Sequence, residues 1–291
     1  MNLYSSKEMT DLLERHDFFF KKNLGQNFLM NESIAFKIAS SSRETLPNDQ
    51  KTLALEIGPG AGSLTLQLSK LFDQVLALEI DPHLIGVLDE SLKEASNVKV
   101  IHTDALLFDL ETISEMYPDH QIAVCSNLPY YITSEIIMKL LESKLPIASI
   151  TVLIQKEAAA RLTSKPGEDN FGAITASVSY YAKAEKLFLV GPGNFIPRPK
   201  VDSSVLRLVP HLEPPVKVND KKLLFRLIRA AFSNRRKMLS NTVFPIFTDR
   251  FSKEEISSIF TNIGIIPTRR GETLTLDEYA LIVNTFTKNE E

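Results

Sequence analysis

Leu53-Ala-Leu-Glu-Ile-Gly-Pro-Gly-Ala-Gly-Ser-Leu-Thr65 is a short apolar run, three glycines at alternate positions, and the opening of an amphipathic segment. A run this short and this apolar suits a strand buried on both faces, the habit of parallel sheets. Glycines at 58, 60 and 62 let the backbone approach a ligand closely at the carboxyl end of that strand, where open α/β sheets bind small molecules. Working outward, similar runs occur at Gln74 to Ile80, Val98 to Thr103, Ile122 to Ser126 and Ser149 to Ile154. Between them Ser63 to Phe72, Pro82 to Ala95 and Ser134 to Ser143 read as helices, the second opened by a first-position proline and the third by a Thr-Ser pair able to cap it. The alternation predicts a parallel α/β sheet.

Past Lys156 the rhythm changes. A helix over Gln155 to Thr163, a polar loop over Pro166 to Asn170, a segment Ala173 to Tyr180 and strand-like runs at Glu185 to Val190 and Val201 to Val209 predict a closing antiparallel hairpin on the same sheet. Pro210, Pro214 and Pro215 mark residues 210–216 as a linker, and everything after it reads helical. There Leu223, Leu224, Leu227, Ile228 and Ala231 share one helix face, with Lys222, Arg226, Arg229 and Arg236 on the other. Thr275 and Glu278 have capping-box spacing ahead of a last helix.

A length of 291 residues suits one large domain plus one small. The 44% apolar and 24% charged composition excludes disordered, fibrous and coiled-coil classes. One cysteine, Cys125, excludes an internal disulfide and a Cys-x-x-Cys motif, which fits a reducing cytosol. The mixed polar start, with no apolar stretch reaching the roughly 18 to 20 residues of a membrane span, predicts a cytoplasmic protein without membrane contact. Five widely spaced histidines (His16, His83, His102, His120, His211) show no metal spacing, so no metal is expected. A formal charge of −3 argues against coating nucleic acid with the whole surface and leaves a local basic face open.

The glycine loop and Glu79, which lies 21 residues after Gly58 at the end of the next strand, form a site for a nucleoside-bearing cofactor: an acid there accepts hydrogen bonds from ribose hydroxyls. NAD and S-adenosylmethionine share this layout. A dinucleotide fingerprint would carry a further glycine at 63, where this chain has Ser63, which tilts the reading towards S-adenosylmethionine. Asn127-Leu-Pro-Tyr130 follows the fourth apolar run, at the same sheet edge. The exocyclic amine of a nucleobase is a poor nucleophile because its lone pair is delocalised into the ring. The Asn127 side-chain oxygen and a backbone carbonyl beside Pro129 can accept both N–H bonds and localise that pair, while Tyr130 stacks on the base. Attack precedes proton loss, so no general base is needed and orientation does most of the work.

Six segments in this order resemble the ribosomal RNA adenine N6-dimethyltransferase family, and most closely its bacterial small-subunit branch, over nearly the whole chain. Lys21-Lys-Asn-Leu-Gly-Gln-Asn-Phe-Leu29 is similar to the family's amino-terminal cofactor motif, Glu56 to Gly62 to its glycine loop, Glu79 with Asp81 to its ribose acid and Asp104-Ala105 to its adenine-contacting turn. Asn127 to Tyr130 is similar to its catalytic motif and Phe195-Ile-Pro-Arg-Pro-Lys-Val-Asp-Ser203 to its hairpin signature. The resemblance implies a Rossmann-like class I S-adenosylmethionine-dependent methyltransferase sheet of seven mostly parallel strands in a catalytic domain over 20–211, an extension at 1–19, and a small all-helical RNA-binding domain at 212–291. It implies that Gln26, Asn27, Leu29, Gly58, Gly60, Glu79, Asp104, Ala105 and Asn127 hold the cofactor. Phe195 is expected to flank the flipped adenine opposite Tyr130, with Asn127, Pro129, Tyr130 and Phe195 as the catalytic set. Thr103 and Ser126 stand where the family usually has glycine, so adjusted turns are expected there.

Lys217 to Ser240 holds eight basic residues against one acid, Asp220. Lys222, Arg226, Arg229, Arg235, Arg236 and Lys237 are the expected phosphate contacts, with a merely solvated helix face as the alternative. Ala231-Phe-Ser-Asn-Arg-Arg-Lys-Met-Leu239 also resembles a family motif. The implied reaction is dimethylation of N6 on two adjacent adenosines in a 3′-terminal hairpin loop of 16S rRNA, within an immature small subunit, by a monomer. The target has to be unpaired or extruded, because an amine inside a duplex is unreachable. Two rivals share parts of the pattern: a 23S rRNA adenine methylase, and an assembly factor whose main role is binding the immature subunit.

Overall fold

The structure, a computed structural model, describes residues 1–20, 25–234 and 236–287. It divides into two compact units, one of residues 1–159 with 184–210 and one of 160–183 with 211–291. One junction, at 210/211, lies a residue before the expected boundary at 211/212, and residues 160–183, expected in the catalytic domain, group with the helical unit. Their aromatic residues explain this: Phe171 and Tyr180 are buried in a cluster with Leu224, Phe225 and Ile228. Residues 1–19, expected as an extension, belong to the first unit.

In the first unit, Ser6–Arg15 (α1) and a two-residue strand Phe28–Leu29 (β1) precede Glu32–Arg43 (α2). The alternation then runs Lys51–Ile57 (β2), Ser63–Leu71 (α3), Gln74–Glu79 (β3), Pro82–Ser91 (α4), Val98–His102 (β4), Thr112–Met116 (α5), His120–Asn127 (β5), Thr133–Glu142 (α6) and Ile147–Gln155 (β6). The chain continues through Lys156–Leu162 (α7) and Ala173–Tyr181 (α8) to Ala182–Val190 (β7), the short bridge Phe195–Ile196 (β8) and Ser203–Pro210 (β9). Seven strands form one sheet in the order β4-β3-β2-β5-β6-β9-β7. The first five pair in parallel and β9 runs antiparallel to β6, so the parallel sheet and its late closing strands both match expectation. The order reverses between β2 and β5, which places a crevice at the carboxyl ends of these two strands, the position of ligand sites in open α/β sheets.

Pro82 opens α4 behind an Asp81 cap, as its position predicts. The Thr133-Ser134 pair does not cap α6: Ile132 occupies the cap, and the Thr133 hydroxyl donates to the Pro129 carbonyl at 3.0 Å. Ser126, in place of a family glycine, is fully buried and satisfies its hydroxyl on the Ile57 carbonyl, tying β5 to β2 just below the crevice.

In the second unit, Lys221–Ser233 (α9) is followed by Leu239–Phe247 (α10), Lys253–Asn262 (α11) and Leu276–Thr287 (α12). Leu224, Phe225, Leu227, Ile228 and Ala231 form the buried face of α9, at roughly 1.5–3 kcal/mol for each large side chain taken fully out of water. The capping box before α12 is formed as its spacing predicts: Thr275 Oγ1 accepts from the Glu278 amide at 3.2 Å, and the Thr275 amide donates to Glu278 Oε2 at 2.8 Å. No helix among the described residues is long and apolar enough to cross a membrane.

Candidate active site

The crevice is a cleft with about 740 Å³ of empty space, open to solvent. Gln26, Asn27, Leu29, Gly58, Gly60, Glu79, Asn127, Pro129 and Tyr130 all line it, so residues from four separated motifs meet there. Asp104 and Ala105 line an adjoining cavity, whose walls share Gly58, Ile80, Pro129 and Tyr131 with the first. The first four residues of the amino-terminal motif, Lys21 to Leu24, lie outside the described residues.

Two backbone constraints shape the floor. Gly58 and Gly60 adopt φ of +70° and +61°, conformations that L side chains rarely take. A Cβ on Gly60 would come within 2.9 Å of the Phe28 ring. That ring stands 5.8 Å from Phe18 and 5.2 Å from Phe20, so an aromatic trio packs the amino-terminal arm against the glycine loop. The arm is also stitched to the loop after β7. In the β1–β8 bridge Leu29 pairs with Phe195, and the Met30 amide donates to the Asn194 carbonyl at 2.7 Å.

Phe195 itself is not on the cleft lining. It is 3% exposed and packs in the core with Leu29, Val190 and Val205, because the bridge that brings it near the site turns its ring into the interior. Tyr130 is placed as expected. It is half-buried on the cleft, and its hydroxyl meets Ser203 Oγ at 3.0 Å, which fixes the ring plane. Burial pushes the phenol's pKa up, so it stays protonated at neutral pH.

Asn127 ends β5 with its amide orientation set: Nδ2 donates to the Asn27 carbonyl at 2.8 Å. Oδ1 therefore remains as the acceptor, and it receives no hydrogen bond among the described residues. Of the two carbonyls beside the Leu128–Pro129 bond, that of Pro129 is engaged by Thr133 and by the Ile132 amide. The Leu128 carbonyl has no donor among the described residues, so Asn127 Oδ1 and Leu128 O are the pair available to an incoming amine.

Glu79 is 3% exposed and accepts from the Asp81 amide at 2.8 Å and the Gly60 amide at 3.3 Å. Burial raises its pKa, and those amides oppose the rise. The turn after β4 is fixed from two sides. Asp104 Oδ1 accepts from the Leu106 amide at 2.8 Å, and Lys139 Nζ donates to the Leu106 and Phe108 carbonyls at 2.6 and 2.7 Å.

Glu56, Ile80 and Tyr131 also line the walls, and the sequence pattern alone does not single them out. A signal for Glu56 does exist: an acid inside a strand otherwise apolar on both faces has to have a partner. Glu56 is 1% exposed, its Oε2 has no hydrogen-bond partner, and burial pushes its pKa up to about 8, with the Glu79 charge adding. The Ser63 hydroxyl, also on the lining, is likewise buried and unpartnered. These orphaned atoms bear on the choice between the two cofactors. The described lining holds two carboxylates and no Lys or Arg. Such a lining offers a pyrophosphate no cationic partner and fits the ammonium and sulfonium of S-adenosylmethionine, against which a buried carboxyl can ionise; Glu79 would hold its ribose and the cavity between Ile80 and Asp104 its adenine.

The basic stripe lies in the second unit. Lys222, Arg226 and Arg229 are exposed along the outer face of α9, and Arg236 and Lys237 are exposed just beyond it. Arg235 lies outside the described residues.

Comparison with known proteins agrees with this geometry. The family model for ribosomal RNA adenine dimethylases matches residues 17–288. The chain is 43% identical over 277 residues to ribosomal RNA small subunit methyltransferase A of Geobacillus sp. (strain WCH70), covering 94% of each chain. Among solved structures, a dimethyladenosine transferase from Plasmodium falciparum superposes with a TM-score of 0.75 at 23% identity, covering 90% of this chain and 98% of that one. The 23S rRNA methyltransferase ErmE superposes with a TM-score of 0.66 at 23% identity, covering 89% and 99%. These two establish a shared fold, and the matched length together with the sequence identity establishes kinship: the chain belongs to the ribosomal RNA adenine dimethylase family, whose methyl donor is S-adenosylmethionine.

Proposed function

We propose that this protein dimethylates N6 of two adjacent adenosines in a hairpin loop near the 3′ end of 16S rRNA, acting in the cytoplasm as a monomer on an immature small subunit. The chemistry is carried by one observation: Asn127, on the cleft lining next to Leu128, has its Nδ2 engaged by the Asn27 carbonyl, which leaves Oδ1 as an acceptor. The choice of small-subunit RNA rests on the 43% identity to the Geobacillus small-subunit enzyme.

S-adenosylmethionine, when bound, supplies an electrophilic methyl group on a sulfonium that departs as a neutral thioether. Asn127 Oδ1 and Leu128 O accept the two N–H bonds of the adenine amine and localise its lone pair towards that methyl. Tyr130 stacks on the extruded base, worth about 1–3 kcal/mol for an aromatic platform. The nitrogen, cationic after attack, gives its proton to solvent, so once one methyl is on a single N–H remains for the second attack and one of the two acceptors suffices to orient it. Phe195, buried and off the cleft lining, is assigned no step in this scheme.

Nucleoside mass spectrometry of undermethylated ribosomes incubated with the protein and S-adenosylmethionine tests the proposal. Dimethyladenosine is expected in the small-subunit fraction. Its appearance only in the large-subunit fraction would transfer the assignment to a 23S rRNA methylase, and unmodified but bound subunits would favour an assembly factor.

The exposed stripe on and beyond α9 supplies the phosphate contacts in this reading. Neutralising Arg226, Arg229 and Arg236 together is expected to lower the slope of log affinity against log salt by about 0.7–0.9 per lost contact. A salt titration of RNA binding reads this directly, and an unchanged slope would return the stripe to a solvated face.

A further inference from the structure

The first sixteen residues precede the segment matched by the family model, yet they reach the back of the cofactor cleft. Residues 2–5 are locked in place. The Tyr4 amide donates to Asn2 Oδ1 at 2.9 Å, Leu3 is 1% exposed, and Ser5 caps α1. Met9, Leu12 and Leu13 of α1 pack in one cluster with Leu84, Val87 and Leu88 of α4, and Leu84 lines the cleft. Glu90 of α4 binds Arg15 at 2.5 Å and His16 at 2.9 Å, closing the arm onto that helix.

The contact that matters most is at the glycine loop. The Tyr4 hydroxyl donates to the carbonyl of Ser63 at 2.7 Å and accepts from Gln67 Nε2, also at 2.7 Å. Gln67 Nε2 reaches on to Glu32 Oε1 at 3.3 Å, and Lys70 stands 3.6 Å from the same carboxylate. Tyr4 thus ties the amino-terminal arm to two residues of α3, and Gln67 and Lys70 in turn join α3 to α2. Ser63 is the first residue of α3, directly after Gly62, whose φ is +91° and which offers no side-chain cap. The first turn of α3, whose Ser63 and Leu64 line the cleft and whose Ser63 hydroxyl is buried and unpartnered, has its external anchor in Tyr4.

We infer that Tyr4 is a positioning residue for cofactor binding: its hydroxyl sets the first turn of α3 against the Glu56 wall, making the amino-terminal arm part of the S-adenosylmethionine site. The inference rests on the cofactor assignment and is separable from it. Wild-type protein that failed to bind S-adenosylhomocysteine would sink the assignment, whereas the variants speak to Tyr4 alone.

Tyr4→Phe removes one hydroxyl and keeps the ring. It is expected to weaken S-adenosylhomocysteine binding in calorimetry by about 3–10-fold, the range of one net hydrogen bond. The KM for S-adenosylmethionine should rise by a similar factor, while kcat at saturating cofactor and the KM for RNA stay within about twofold. A purely structural tyrosine would instead lower the melting temperature and leave cofactor affinity unchanged, or weaken cofactor and RNA alike, and either result overturns the inference. Should that variant not fold, Gln67→Met takes away the amide that orients the same hydroxyl and leaves Tyr4 in place. The same split between cofactor and RNA is then expected, and its absence would equally overturn the positioning role.

Discussion

Asn127→Ala is expected to cut methylation by at least about 10²–10³-fold, the range seen when one preorganised transition-state hydrogen bond is removed, while RNA affinity stays within about twofold. The side chain does two things at once in this fold. Its Nδ2 ties β5 to the amino-terminal arm through the Asn27 carbonyl, and its Oδ1 is one of two acceptors for the target amine. Alanine removes both. Asn127→Asp separates them, because a carboxylate still accepts from the amine but repels the Asn27 carbonyl it would face. The aspartate variant should therefore keep more activity than alanine if acceptance dominates, and as little if the tether does. RNA binding is the control, since the exposed basic residues of the helical unit are untouched by either change. Single-turnover methylation with saturating cofactor, beside a filter-binding titration, reads both quantities. Parallel loss of activity and RNA binding would mean that Asn127 holds the fold and does not orient the amine.

The contrast between Asn127 and Phe195 shows what can be read from a chain before its fold is known. Asn127 could be placed because its signal is local: a buried strand ends, and a polar residue and a proline follow where a parallel sheet opens its crevice. The glycines at 58 and 60 and the acid at 79 belong to the same class, and all of them line the cleft. Phe195 depends on the direction in which a two-residue bridge faces its ring. That direction is decided by pairing with Leu29, more than 160 residues earlier, and local sequence carries no record of it. The second unit follows the same division. Periodicity marks the buried face of α9, whereas the recruitment of 160–183 into that unit depends on Phe171 and Tyr180 finding a cluster built from the far end of the chain. Glu56 is an intermediate case, because its oddity within the strand is visible in the sequence and its meaning is not. A carboxylate flanked by apolar residues is either an error of packing or half of a polar pair, and only the fold shows that Glu56 faces a cleft, where a ligand can supply the other half.

Glu56→Gln is expected to make the ligand-free protein more stable above neutral pH and to weaken its hold on S-adenosylmethionine. The group is fully buried. Removal from water, reinforced by the nearby Glu79 charge, lifts its pKa from the ordinary 4.5 to about 8. The nearby Thr65 hydroxyl opposes the rise only in part, and no countercharge comes from Cys125, buried with its thiol pushed up, or from Tyr4, held neutral at about 12. A raised carboxyl pKa favours the protonated form in the folded state. Its contribution to stability is therefore complete below about pH 4.5 and is lost progressively as pH rises through about 8. At about 1.4 kcal/mol per pKa unit this amounts to a few kcal/mol at most between those limits. Glutamine, which has no proton to lose, removes that slope, so the difference in unfolding free energy between variant and wild type should grow steadily from pH 5 to pH 8. The cofactor reverses the preference, because an ammonium beside Oε2 stabilises the carboxylate. Wild-type binding at pH 6–7 should then release close to one proton, read as a dependence of the calorimetric heat on buffer ionisation, and the variant should release none. Parallel stability curves for the two proteins, or proton release that survives the substitution, would assign the linked group elsewhere in the cleft, with Glu79 as the next carboxylate to replace.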